Sequence, residues 1–83
     1  HEQGFWRYRQ VLTDLVAQTL EQAGKPSDEE ALALAVVKVN AVIDGLWIEA
    51  CLGVDVLKES DLVQAGTDTV AAVLGVSIPT KSD

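Results

Sequence analysis

The sequence predicts an all-α fold of three helices. The chain has 83 residues, the size of one small domain. Its composition is 48% hydrophobic but only 5% aromatic, so the apolar side chains are mainly aliphatic, as is typical of packed helices. Apolar residues recur at steps of three and four, and a glycine follows each periodic stretch. We therefore expect helices that end near Gly24, Gly53 and Gly75.

The first predicted helix covers about residues 3–23, and Gly24 followed by Pro26 should end it. Its periodic residues lie on one helix face. That face holds Tyr8, Val11, Leu12, Leu15, Val16, Thr19 and Leu20.

The second predicted helix starts at about Asp28, because Ser27 and Glu30 have the spacing of a capping box, and it runs to Cys51. Both of its sides are apolar, and two flanking helices in so short a chain cannot cover it completely. We therefore expect a second subunit to cover one side. One side holds Ala31, Leu34, Ala35, Val42, Gly45 and Leu46, and the other holds Leu32, Val36, Ile43 and Trp47.

The third predicted helix follows a connector, residues 54–59, that we expect to fold back on the helices. Ser60 and Asp61 should cap this helix, which runs to Leu74. Its apolar stripe consists of Leu62 or Val63, Gly66, Val70, Val73 and Leu74.

Two glycines lie in the middle of predicted helices, Gly45 and Gly66. Glycine costs a helix interior about 1 kcal/mol relative to alanine, so we expect both where two helices cross closely. The tail from Ser77 to Asp83 should fray.

Charge and composition exclude several classes of function. The formal net charge is −7, the opposite of what a nucleic-acid surface needs, so this chain should not bind DNA by itself. Cys51 is the single cysteine and lies in an apolar run, which predicts a buried thiol in the cytoplasm. Lys38, Asp44 and Glu49 interrupt the longest apolar stretch, so we expect no membrane span and no signal peptide.

The sequence also holds no pattern of catalytic or metal-binding residues. The only histidine, His1, is terminal, and no nucleophile and base pair or phosphate-binding glycine loop is recognisable. We therefore expect no enzyme activity, no cofactor and no metal. Because residue 1 is a histidine, we expect the chain to be a piece of a longer protein.

A family resemblance rests on residues 41–50, Ala-Val-Ile-Asp-Gly-Leu-Trp-Ile-Glu-Ala, late in the long apolar helix. This segment resembles the C-terminal region of TetR-type transcriptional repressors, in particular the BetI-like branch with its Ile-Asp-Gly-Leu-Trp signature. The upstream helix, with Tyr8 and Arg9 near its start, is also similar to that family.

The resemblance implies that residues 1–83 are a partial C-terminal ligand-binding and dimerisation domain without the helix-turn-helix. The three helices would correspond to the seventh, eighth and ninth of the family fold, with the last two pairing across a two-fold axis as an intersubunit four-helix bundle. DNA would be bound only through an N-terminal domain outside this chain, under control of a small-molecule effector. The alternative is a free-standing helical homodimer with an interaction or structural role.

The expected homodimer interface lies on the second and third helices. Lys38 and Glu49 lie within about 20° of each other on the helix, and either form a solvated edge or pair reciprocally across an antiparallel two-fold axis. The interface candidates are Ala35, Lys38, Val42, Gly45, Leu46, Glu49, Gly66, Val70 and Val73.

The candidate effector-pocket residues are Trp6, Tyr8, Asp44 and Trp47. With Phe5 they would form an aromatic cage for a cation such as choline, although aromatic residues at helical spacing more often belong to the core. Asp44 is expected either to face the effector or, as a buried carboxylate, to be paired with a neighbouring helix or with Arg7, Arg9 or Lys38.

Overall fold

The computed structural model describes residues 2–77 and confirms an all-α fold. Its helices are α1 (Glu2–Gln22), α2 (Glu29–Leu52) and α3 (Glu59–Leu74). The chain divides into two compact units, His1–Val37 and Lys38–Asp83, with the boundary inside α2. Each end of each helix lies within a few residues of its expected position. His1 and most of the tail that we expect to fray lie outside the described residues.

The core of the first unit is narrower than the expected apolar face of α1. Leu12, Val16 and Leu20 are buried at a spacing of four residues, whereas Val11 and Leu15 are exposed. Only part of this apolar face is therefore buried within the described residues. Residues spaced by four lie in one narrow row along a helix. Such a narrow buried row is expected where few other residues pack against α1. From α2, Ala35 and Val36 are buried in the same unit.

The start of α2 is capped by Asp28 and not by the expected Ser27. One carboxylate oxygen of Asp28 accepts a hydrogen bond from the backbone N–H of Ala31 at 2.9 Å. Because α2 begins at Glu29, Asp28 is the residue directly before the helix, whereas Ser27 lies one position too early to reach its free N–H groups.

The second unit consists of the end of α2, the connector and α3. The connector does not fold back as expected: every residue from Gly53 to Lys58 is exposed, and Val56 is 86% exposed. The α3 helix begins at Glu59, so Ser60 and Asp61 lie in its first turn and do not precede it. Asp61 nevertheless stabilises this end, because its carboxylate accepts a hydrogen bond from the backbone N–H of Lys58 at 2.8 Å.

The three expected helix ends are confirmed by left-handed glycines. Gly24, Gly53 and Gly75 have φ angles of 68°, 66° and 69°, a conformation that glycine adopts without a Cβ clash. After Gly24, the N–H of Lys25 donates to the carbonyl of Leu20 at 2.9 Å and satisfies a free acceptor of the last turn.

Candidate functional site

Large apolar side chains remain uncovered in the second unit. Trp47 is 70% exposed and Leu52 is 72% exposed, and Ile43, Ile48 and Val63 are exposed as well. Soluble monomers rarely leave so many large apolar groups together in water. The described residues therefore leave part of α2 uncovered, as expected.

One of these apolar surfaces is a groove of about 390 Å³ where α2 and α3 meet. Gly66 is buried there, and a Cβ at this position would lie 2.5 Å from the Cδ1 of Leu46. The expected close helix approach at Gly66 is thus confirmed, with Leu46 of the same chain as the contact. At Gly45, by contrast, a Cβ would meet no atom within 4 Å, so the described chain contains no helix crossing there. The groove is lined by Ile43, Leu46, Val63, Gly66, Thr67 and Val70.

The candidate interface residues differ in how far the chain itself covers them. Ala35 and Gly66 are buried, whereas Lys38 and Glu49 are exposed. The half-buried members are Val42, Gly45, Leu46, Val70 and Val73. A contact between two subunits at these positions stays a prediction.

A second groove, of about 300 Å³, lies in the first unit between α1 and the start of α2. Arg9 and Glu29 contribute opposite charges to an otherwise mainly apolar lining. The hydroxyl of Thr13 donates to the carbonyl of Arg9 at 2.7 Å, so it is already engaged within α1. The sequence analysis did not predict this groove. The feature that could have indicated it is Arg9, a charged residue next to the apolar face of α1. Its lining residues are Arg9, Thr13, Glu29, Leu32, Ala33, Val36 and Val37.

The effector-pocket candidates are all exposed, which corrects the interpretation of their aromatic members as core residues. On α1, Trp6 packs edge to face on Phe5, with ring centroids 5.4 Å apart and planes at 74°. Trp6 and Tyr8 are two positions apart in the helix, a spacing that places them on different faces.

On α2, Asp44 and Trp47 lie about one helical turn apart, and both are exposed. The expectation that Asp44 is a buried carboxylate is wrong, because its side chain reaches solvent and accepts a hydrogen bond from the Nδ2 of Asn40 at 3.2 Å. A carboxylate and an indole ring are together suited to bind an organic cation. The role of Asp44 and Trp47 in an effector pocket stays a prediction.

One further expectation needs correction. The free thiol of Cys51 is exposed and not buried. By length and composition only, the α2 helix, with a mean hydropathy of 1.8, is long and apolar enough to cross a membrane. The core helix of a soluble protein meets the same measure, which makes this weak evidence for a membrane segment. Among residues 2–77, no cluster of three or more metal-binding side chains is found.

An all-α module whose long middle helix leaves apolar side chains in water is typical of a domain that associates with a partner. A family model described as "BetI-type transcriptional repressor, C-terminal" matches residues 1–75. The chain therefore belongs to this family and is a C-terminal domain of the TetR type of transcriptional regulator. Regulators of this type act as homodimers that bind DNA. No significant match was found among curated proteins or among solved structures.

Proposed function

We propose that this chain is the dimerisation and effector-sensing region of a cytoplasmic transcriptional repressor that binds DNA through a separate head. The observation that carries the proposal is the uncovered apolar surface of the second unit, which includes Trp47, Ile48 and Leu52. Burial of apolar area is the main driving force of association, at about 25 cal/mol per Å². The family match supports a second copy of the chain as the partner.

Sedimentation equilibrium of the chain tests the dimerisation. We expect twice the mass of one chain at micromolar concentration, with helical circular dichroism. A folded monomer across this concentration range would contradict the proposal.

For effector sensing, the surface that includes Asp44 and Trp47 supports a small organic cation. The carboxylate supplies charge and the exposed indole face supplies a cation–π contact, which is worth about 0.5–2 kcal/mol according to how far it is desolvated. The negative net charge of the chain, −7, also attracts cations over longer distances.

Isothermal titration of choline into the full-length regulator tests this effector class. We expect binding that is weakened about tenfold or more by Trp47→Ala and by Asp44→Asn, because each removes one attractive contact. Val56→Ala, a change on the exposed connector, serves as the control and should bind like the wild type. Equal affinity in all variants would show that these two residues do not contact the effector.

A further inference from the structure

The groove between α1 and the start of α2 lies entirely within the first unit, since its lining ends at Val37. Its volume of about 300 Å³ is at the lower end of the range for pockets that bind small molecules. The α2 helix contributes its apolar side, where Val36 is buried, Leu32 is half-buried and Val37 is 54% exposed. The groove therefore offers an apolar surface to a small ligand.

Arg9 supplies the only free hydrogen-bond donor among the described side chains of this lining. The hydroxyl of Thr13 already donates to a backbone carbonyl, Glu29 carries acceptors only, and the remaining lining residues are apolar. Arg9 is half-buried, yet no hydrogen bond or ion pair engages its guanidinium group among residues 2–77. An acceptor from outside the chain would therefore stabilise this cation.

Glu29 is the second charged residue of the lining, and it forms no ion pair with Arg9 among the residues described. The loop of residues 23–28 is short, so α1 and α2 run antiparallel. Glu29, the first residue of α2, therefore lies near the end of α1, whereas Arg9 lies about 13 residues, roughly 20 Å, before that end. The two charges lie toward opposite ends of the groove, with the apolar side chains of α2 between them.

We propose that this groove binds a small amphiphilic monocarboxylate. Its carboxylate pairs with the guanidinium group of Arg9, whose planar donors match two carboxylate oxygens, and its apolar body lies on Leu32, Val36 and Val37. A single cation in the lining suits one negative charge, which favours a carboxylate over a phosphate monoester with nearly two. Glu29 repels a second anionic group at the far end, so a dicarboxylate of the same length binds less well.

This site is separate from the proposed cation contact, because Asp44 and Trp47 belong to the second unit. It also takes a ligand of opposite charge and does not depend on dimerisation. The net charge of the chain, −7, disfavours the approach of any anion. Affinity for a carboxylate therefore has to come from a local contact, which the proposal assigns to Arg9.

Isothermal titration of octanoate into the chain tests the contact with Arg9. We expect a Kd below about 1 mM, and a loss of about tenfold or more in Arg9→Gln. Arg7→Gln is the matched control: it removes the same charge from the same helix, but Arg7 lies two positions away on another face and should not affect binding. Absence of binding by the wild type, or equal affinities of the two variants, would overturn the proposal.

A set of ligands on the wild-type chain tests the same site without reliance on the folding of a variant. Octan-1-ol has a similar apolar body without the charge, and octanedioate adds a second carboxylate, so both should bind at least severalfold more weakly than octanoate. Glu29→Gln should remove most of the discrimination against octanedioate. Glu30→Gln is the control, because Glu30 also lies in the first turn of α2 but does not line the groove. Octan-1-ol that binds as tightly as octanoate would overturn the role of the carboxylate.

Nuclear magnetic resonance of the methyl groups locates the ligand. Octanoate should shift the resonances of Leu32, Val36 and Val37, which line the groove of the first unit. Val63 and Val70 line the groove where α2 and α3 meet and should not respond. Shifts confined to those two valines would place the ligand in the second unit and overturn the proposed site.

Discussion

Asp28 is the residue on which the start of α2 depends. Its carboxylate satisfies the N–H of Ala31, one of the first four N–H groups that have no partner inside the helix. The negative charge also lies at the positive end of the helix dipole, and Glu29 and Glu30 in the first turn add to this effect. Ser27 precedes the cap and makes no comparable bond in the structure.

Replacement of these two residues should therefore have different effects on stability. We expect Asp28→Ala to lower the free energy of unfolding by about 1 kcal/mol, through loss of the N-cap. Ser27→Ala is the matched control and should change it by less than about 0.5 kcal/mol. Urea unfolding followed by circular dichroism at one fixed protein concentration measures both values. Equal losses in the two variants would show that the cap is shared or misassigned.

The local signals at single residues were strong enough to predict all three helices. Gly24, Gly53 and Gly75 end helices by backbone conformation, a property that depends on little beyond the neighbouring residues. The N-cap of α2 was harder to predict, because Ser27 and Asp28 are both good capping residues. Which of them caps the helix depends on the residue at which the first helical turn begins. Burial was less predictable still, as Cys51 and Asp44 show. Their exposure depends on what packs against α2, which the sequence pattern cannot specify.

At the scale of helices, α2 is apolar over more of its circumference than the chain covers. Its buried residues in the two units, Ala35, Val36 and Val39, occupy one arc, while Ile48 and Leu52 lie on another arc and remain in water. The sequence pattern predicted this excess of apolar surface on α2, because the apolar residues around the helix can be counted without knowledge of the partner. A role of Trp6 and Trp47 in an effector pocket could not be predicted in the same way and stays a prediction, since both side chains are exposed in the described residues.

A charged residue on the uncovered arc of α2 should prevent association. We expect Gly45→Glu and Val42→Glu to yield monomeric or insoluble protein, because a carboxylate without a partner is costly to bury between two helices. Val56→Glu adds the same charge on the exposed connector and should keep the wild-type mass. Multi-angle light scattering measures the masses. Wild-type-like dimers in both α2 variants would remove this arc from the interface.

The whole molecule combines a small core with a strongly negative charge. Its buried apolar residues are few, and none of its large side chains is fully buried among the residues described. A domain of this size gains only marginal stability from its own core. Association should therefore supply a substantial part of the free energy of folding.

The melting temperature should consequently depend on protein concentration. For a dimer that unfolds to two chains, each tenfold increase in concentration should raise Tm by roughly 4 °C, from mass action and the usual unfolding entropy per residue. Calorimetry over a hundredfold range of concentration measures this slope, and soluble Gly45→Glu provides a monomeric reference with no slope. A constant Tm for the wild-type chain would mean that folding does not depend on association.

The contact between Leu46 and Gly66 has a consequence for how the family varies. One methyl group of Leu46 occupies the space that a side chain at position 66 would need, so the two positions share a single volume. A larger residue at position 66 should then occur in relatives that have a smaller one at position 46, and the pair should exchange together. Leu46→Ala should likewise make Gly66→Ala easier to accommodate than it is beside the intact leucine, a compensation that two single exchanges and their combination would reveal.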